Sequence, residues 1–180
     1  MNVVACFSGG IGSGKTTLAS AVAERMGLKV ASFGAFVRQT ARSRGIGEER
    51  AALQALGETL IAEMTFDGFC RAVLEATGWD GAGSVAVEGI RHVAAFDTIK
   101  RLAAPLPAKL FFVDVPRDVR QARADGARPS EQSDLAKADA HSTEKDVHGA
   151  LREIADLTLD GTRDIDALTE EVVRTLRSVG

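Results

Sequence analysis

Residues 9–16 carry the clearest chemistry in this 180-residue chain: Gly9-Gly10-Ile11-Gly12-Ser13-Gly14-Lys15-Thr16. The first glycine and the closing Gly-Lys-Thr stand at the spacing of a loop that cradles phosphates. Glycines let the backbone turn tightly and aim several N–H groups inward, where they meet phosphate oxygens. A helix beginning at the end of the loop adds the positive end of its dipole. Lys15 then reaches the β- and γ-phosphates, and the Thr16 hydroxyl is placed for a Mg2+ ion. Gly9 through Thr16, with Thr17 beside them, are therefore the expected seat of a nucleoside triphosphate, taken as ATP. A glycine-rich turn alone would be no more than a connection. The Lys-Thr pair, with a strand in front, makes it a ligand site.

The loop works only if a strand delivers it and a helix leaves it. Val3-Val4-Ala5-Cys6-Phe7 is an apolar run and predicts a strand over about 2–8. Helical spacing follows over about 15–26, closed by Gly27. Strand and helix patterns then alternate to the end of the chain, the pattern of a parallel sheet with helices on its faces. A short strand is expected at 28–33, then a long helical stretch at about 35–78, interrupted at Gly45-Ile46-Gly47 and near Thr65–Gly68. Ser84-Val85-Ala86-Val87-Glu88 is uncharged until its last residue, which suits a strand buried on both faces. Two more strands are expected at 109–114 and 157–159, with helices near 92–103, 116–125, 143–155 and 164–178. The expected fold is one α/β domain over residues 1–180: a five-stranded parallel sheet flanked by helices. It carries a helical insertion at about 35–78 and a polar, weakly patterned stretch at about 126–143.

Composition narrows the classes. Hydrophobic residues make up 45% and charged residues 26%, as in soluble globular proteins. A net charge of −3 predicts no general attraction to nucleic acid; such a partner is allowed only through a local basic groove and is not favoured. Cys6 and Cys70 fall in apolar strand and helix patterns and read as core residues rather than as a disulfide or metal pair. His92, His141 and His148 are too scattered for a zinc site. No run approaches membrane-spanning length, and the chain enters its first strand at once, so a cytoplasmic protein with no membrane partner is expected. Oligomeric state is not legible in the pattern.

Five further segments carry a resemblance. Ser32-Phe33-Gly34-Ala35-Phe36-Val37-Arg38 resembles the Ser-Thr-Gly-Asp-x-Leu-Arg segment that opens the acceptor region of adenylate kinase-like enzymes. Arg50-Ala51-Ala52-Leu53-Gln54-Ala55-Leu56-Gly57 resembles the Arg-x-x-Leu-Gln-x-Leu-Gly stretch of phage-type deoxynucleoside monophosphate kinases. Val87-Glu88-Gly89-Ile90-Arg91 is similar to the Asp-Gly-Ile-Arg signature of adenylate kinase and dephospho-coenzyme A kinase relatives. Val113-Asp114-Val115-Pro116 with Arg120 and Arg123 resembles the strand and helix that lead into the lid in that superfamily, and Ala155–Gly161 is similar to its late Ala-Asp-x-x-Ile-Asn-x-Gly element. The chain thus resembles the P-loop nucleoside monophosphate kinase superfamily over nearly its whole length.

The resemblance implies a P-loop kinase fold in which 35–78 is the acceptor-binding insertion and 126–143 a short lid. It implies an ATP- and Mg2+-dependent kinase whose partner is a small nucleotide acceptor. Lys15, Glu88, Arg91 and Arg123 are then the catalytic set. Gly34, Arg38, Gln54 and Arg91 hold the acceptor, with Gln54 on its base or simply solvated. Thr16 and Glu88 serve the metal, Glu88 through water or by orienting the attacking group. Arg123 and Arg128 close over the donor phosphates. Ala35 and Glu88 stand where adenylate kinases have Asp, the proline before the signature arginine is missing, and Arg128 follows Arg123 by five residues rather than four. These departures point away from adenylate kinase itself. They leave open a (deoxy)nucleoside monophosphate acceptor, another acceptor such as a dephospho-coenzyme A-like metabolite or a modified base in DNA, and a nucleotide-gated ATPase switch with no acceptor.

Overall fold

The computed structural model describes residues 2–125 and 147–178. The first strand, β1 (Val4–Gly9), is buried along its whole length. It is followed by α1 (Lys15–Met26), β2 (Lys29–Ser32), α2 (Phe33–Ser43), α3 (Arg50–Glu75) and β3 (Val85–Glu88). Then come α4 (Val93–Ala103), β4 (Ala108–Asp114), α5 (Arg117–Asp125), a π-helical turn at Val147–Leu151, β5 (Leu157–Asp160) and α6 (Ile165–Arg177). The five strands form one parallel sheet in the order β2-β3-β1-β4-β5.

Alternation along β1 separates two cores, because successive side chains leave a strand on opposite faces. Val3, Ala5 and Phe7 pack with Leu18, Val22, Leu168 and Val172, so α1 and α6 cover that face. Val4 and Cys6 pack with Leu60, Phe69, Phe96 and Ile99, so α3 and α4, with Phe33 and Ala41 of α2, cover the other. Burial pushes the Cys70 thiol up to about 12 and the Cys6 thiol higher still. Neither is a reactive thiolate; both are core atoms. No described helix is long and apolar enough to cross a membrane.

The helical insertion shows both expected interruptions. Helix α2 starts two residues earlier than the pattern suggests, because the Ser32 hydroxyl accepts from the Ala35 N–H at 3.0 Å and caps it. It ends at Ser43, and Gly45, at φ 65°, turns the chain toward α3. Within α3, Thr65 stands at φ 60°, ψ 171° and breaks the helix into two segments. The segment before Thr65 faces the ligand side of the sheet; the segment after it buries Phe69, Cys70, Val73 and Leu74.

A β-branched residue in that backbone region is strained by roughly 1–3 kcal/mol, whereas glycine takes it freely. Thr65→Gly is therefore expected to stabilise the protein by about 1 kcal/mol net of the extra freedom it gives the unfolded chain. Urea denaturation checks this; a loss of stability on substitution would mean that Thr65 is not held in that conformation.

Candidate functional site

The loop leaves the carboxyl end of β1, where open parallel sheets bind their ligands. Its glycines are demanded by contact as well as by angle. A Cβ on Gly9, at φ 149°, would lie 2.6 Å from the Val113 carbonyl and 2.7 Å from Ser13 Oγ. A Cβ on Gly12, at φ 74°, would lie 2.8 Å from the Arg120 carbonyl. Gly14, in the left-handed region, precedes the first residue of α1 and offers no side-chain cap, so the helix's first N–H groups point into the loop. Lys15 Nζ donates to the Gly10 carbonyl at 3.2 Å. Burial, followed by the charge of Arg91, brings its pKa from the usual 10.5 down to about 7, against the opposing pull of Glu88. The site holds a charge it does not fully compensate, which is the condition of a pocket built for a polyanion.

Glu88 ends β3 and is 4% exposed. Thr16 Oγ1 donates to its Oε2 at 3.0 Å, and Ser32 Oγ donates to its Oε1. The strands account for both contacts: Glu88 is the register partner of Phe7 on one side and of Ser32 on the other. A hydroxyl and a carboxylate meeting beside a phosphate loop are hard oxygen donors of the kind Mg2+ takes, the ion keeping most of its shell as water and phosphate. Among the described residues no group of three or more His, Cys, Asp or Glu forms an all-protein cage. Thr16 and Glu88 therefore fit the ion in that partly hydrated mode.

One cavity of about 530 Å3 runs from the loop to α2 and α3. Lys15, Thr16, Thr17 and Glu88 line its loop end, and Gly34, Arg38, Gln54 and Arg91 its far side, so the four residues expected to hold an acceptor lie in one cavity with the loop. Gly34 packs against Arg38: a Cβ there would lie 3.5 Å from Arg38 Nη1. Gln54 Nε2 is buried with no hydrogen-bond partner among the described residues. An amide in that state costs roughly 1–3 kcal/mol until something accepts from it. The walls between these groups are apolar and aromatic: Phe33, Val37, Leu53, Ile61 and Phe66.

Sequence reasoning missed four participants. Arg50, quoted only as part of a motif, lines the same cavity and is felt electrostatically by both Lys15 and Arg91. Glu58, two turns further along α3, also lines it; residues 50, 54 and 58 at helical spacing were the available signal. His92, read from the sequence only as too far from the other histidines for a zinc site, lines the cavity with its ring 5.4 Å from that of Phe66. Arg120 is only 4% exposed, and its Nη1 donates to the Ile11 carbonyl at 3.3 Å, so it braces the loop from beneath. Arg123 braces it too, donating to Ser13 O at 3.3 Å and Gly161 O at 3.0 Å. Arg128 and the lid expected over 126–143 lie outside the described residues.

The sheet order, the loop at the end of β1 and the helical insertion over the cavity define a nucleotide-binding protein of the P-loop kinase fold. The profile of a family described as an AAA domain matches residues 8–141, and the chain belongs to that family. No curated relative matches the sequence. Among solved structures, it is similar to an unliganded sugar kinase from Janibacter sp. at 20% identity and a TM-score of 0.63, covering 98% of this chain and 95% of that one. Shikimate kinase from Acinetobacter baumannii, in complex with shikimate, is similar at 18% identity and 0.64, covering 99% and 94%. A gluconokinase from Sinorhizobium meliloti is similar at 16% identity and 0.62, covering 99% and 93%. At these identities the likeness is one of fold.

The lowered pKa of Lys15 has a measurable sign. Between about 7 and 10.5 the unfolded chain holds a proton on Lys15 that the folded, nucleotide-free protein has lost, so this residue's contribution to stability rises with pH there. Urea denaturation of the wild type and Lys15→Met at pH 6.5, 7.5 and 8.5 isolates it. The difference is expected to move in favour of the wild type as pH rises, by at most about 1.4 kcal/mol per pH unit. A flat or falling difference would show that the ammonium is fully solvated.

Proposed function

We propose that this protein is an ATP- and Mg2+-dependent phosphotransferase that moves the γ-phosphoryl group to a small acceptor, a (deoxy)nucleoside monophosphate. The observation that carries this reading is the single cavity: Lys15, Thr16 and Glu88 at one end, Arg38, Arg50 and Arg91 toward the other, with an aromatic wall between them. A nucleotide switch has no use for cations and an apolar wall beyond the triphosphate. Phosphoryl transfer uses both, since it asks the protein to position two substrates and to offset charge on the moving group.

Two features favour a nucleotide acceptor over the hydroxyl-bearing acids and sugars named for kinases of the same fold. Phe33, Ile61 and Phe66 give the cavity an apolar, partly aromatic wall, which suits the face of a heterocyclic base better than a polyol. Glu88 already accepts from Thr16 and Ser32 through its two oxygens, so it is engaged as a holder of groups rather than as a proton acceptor. A phosphomonoester, with a second pKa of about 6, is largely ionised at neutral pH and attacks without a base. A phosphate oxygen of the acceptor attacks the γ-phosphorus and the bond to the β,γ-bridging oxygen breaks; ADP leaves with that electron pair. Thr16 and Glu88 would hold Mg2+, which would supply charge neutralisation at the donor phosphates. Lys15 holds the β- and γ-oxygens, the loop N–H groups hold the remaining ones, and Arg120 and Arg123 keep the loop in shape.

A coupled ADP-release assay over ribo- and deoxynucleoside monophosphates, with shikimate and gluconate alongside, tests the reading. At least one monophosphate is expected to accelerate ADP release tenfold or more above basal hydrolysis. Glu88→Gln is expected to lower kcat for that acceptor by about 10²–10³, the scale of losing one preorganised electrostatic contact. Acceleration by shikimate or gluconate alone, or by none of the panel, would overturn the nucleotide acceptor.

A further inference from the structure

Helix α3 presents one face to the cavity: Arg50, Gln54, Gly57, Glu58 and Ile61 follow helical spacing and all line it. At 3.6 residues per turn, an unbroken helix would set Thr65 next on that face and turn Phe66 roughly 140° away from Ile61. The structure does the reverse. Thr65 stands at φ 60°, ψ 171°, a backbone region nearly confined to glycine, and Phe66 lines the cavity in its place. Core packing at this level falls to Phe69, which is 5% exposed and has its ring 5.2 Å from that of Phe33 and 5.9 Å from that of Phe36. Phe66 is only partly buried against that core.

What Phe66 meets is His92. The ring centroids lie 5.4 Å apart and the planes cross at 62°. His92 comes from another element. Gly89 turns the chain after β3 at φ 85°, and the buried Ser8 Oγ donates to the Ile90 carbonyl at 2.8 Å, which fixes that turn. His92 is the N-cap of α4, and its carbonyl accepts from the N–H groups of Ala95 and Phe96 at 3.1 and 3.2 Å. N-cap positions favour short polar side chains that bond back to the first turn. The His92 side chain makes no such bond; its ring lines the cavity against Phe66. A threonine in a glycine region and an N-cap residue that does not cap thus converge on one ring pair in the cavity wall.

Two rings crossing at that angle make a corner. A flat ring lying on Phe66 turns its edge toward the imidazole, in the stacked and edge-on contacts that aromatic groups prefer. An imidazole has two ring nitrogens, so it can keep one partner within the protein and meet a ligand with the other. Resting on the nucleotide reading above, we infer that His92 is a specificity-determining contact for the acceptor. It hydrogen-bonds the edge of the acceptor's heteroaromatic base while Phe66 covers the base's face, and Thr65 acts through Phe66 as the positioning residue. A sugar phosphate without a base leaves this corner unfilled.

Proton NMR on the full chain, with the donor side filled by the β,γ-imido analogue of ATP and Mg2+, reads the imidazole directly, and its contact with the Phe66 ring assigns the His92 signal in the wild type. The probes are the panel of nucleoside monophosphates and ribose 5-phosphate, which keeps the sugar and phosphate and has no base. The His92 signal is expected to move as one monophosphate saturates and to stay still with ribose 5-phosphate. In the ADP-release assay, His92→Phe keeps the aromatic contact and loses both nitrogens. It is expected to raise KM for that monophosphate about tenfold, the scale of one hydrogen bond lost on binding, and to leave kcat within about twofold. His92→Gln, which keeps a donor and an acceptor, is expected to fall between. Thr65→Ala favours an unbroken helix and is expected to raise the same KM, whereas Thr65→Gly, free to take the kinked angles, raises it less. Either a still His92 signal at saturation or a wild-type KM in folded His92→Phe overturns the inference and leaves the nucleotide reading intact. ADP release driven only by acceptors without a heteroaromatic ring, or by none, overturns both.

Discussion

The chemistry of this protein hangs on the parallel register of β2, β3 and β1. Phe7 of β1 and Ser32 of β2 are both partners of Glu88, so the carboxyl ends of three strands finish at one level. That level delivers the phosphate loop, the carboxylate and the cap of α2 to the same place. Side chains alternate along a strand, so a slip of one residue in β3 would turn Glu88 to the opposite face and leave Thr16 and Ser32 without their acceptor. The register is enforced by the two cores, since a slip would also exchange Val85 and Val87, which pack with α3 and α4, for Ala86, which packs with α1. Burial of apolar surface, the largest favourable contribution to folding, thereby fixes the position of a polar site.

Ser32 joins these layers. Its hydroxyl donates to Glu88 and accepts from the Ala35 N–H, so one side chain connects the carboxylate beside the loop with the first turn of the helix that carries Arg38. The loop end and the α2 end of the cavity are thus held by a continuous chain of hydrogen bonds: Thr16 to Glu88, Ser32 to Glu88, Ala35 to Ser32. On the other side of the loop, Arg120 and Arg123 spend their donors on backbone carbonyls of the loop and of Gly161. Those bonds lock the cradle while leaving its N–H groups directed inward.

Much of this was legible beforehand, for identifiable reasons. The loop could be read because its function demands glycines at fixed positions, and contacts as close as 2.6 Å explain why no other residue serves at Gly9. The sheet could be read because parallel strands are buried on both faces and become continuous apolar runs. The break in α3 showed as a Thr-Phe-Asp-Gly interruption of an apolar stripe. Arg50 and Arg120 did not stand out, because an arginine in a helical pattern has the same spelling whether it points to solvent, as Arg42 does, or inward. Which it does depends on the angle at which the helix meets the sheet, and that angle is set by distant packing.

The sequence by itself determined the class of ligand at the donor end, the alternation of strands and helices, and the residue types available for chemistry, because each follows from local spacing. Only the tertiary structure decided which cations meet. Arg50, Arg91 and Lys15 lie far apart along the chain and belong to three elements, and they share one cavity because the sheet order sets β3 beside β1 and lays α3 across their ends. Electrostatic interaction depends on distance in space and on the local dielectric, and neither is written in sequence separation.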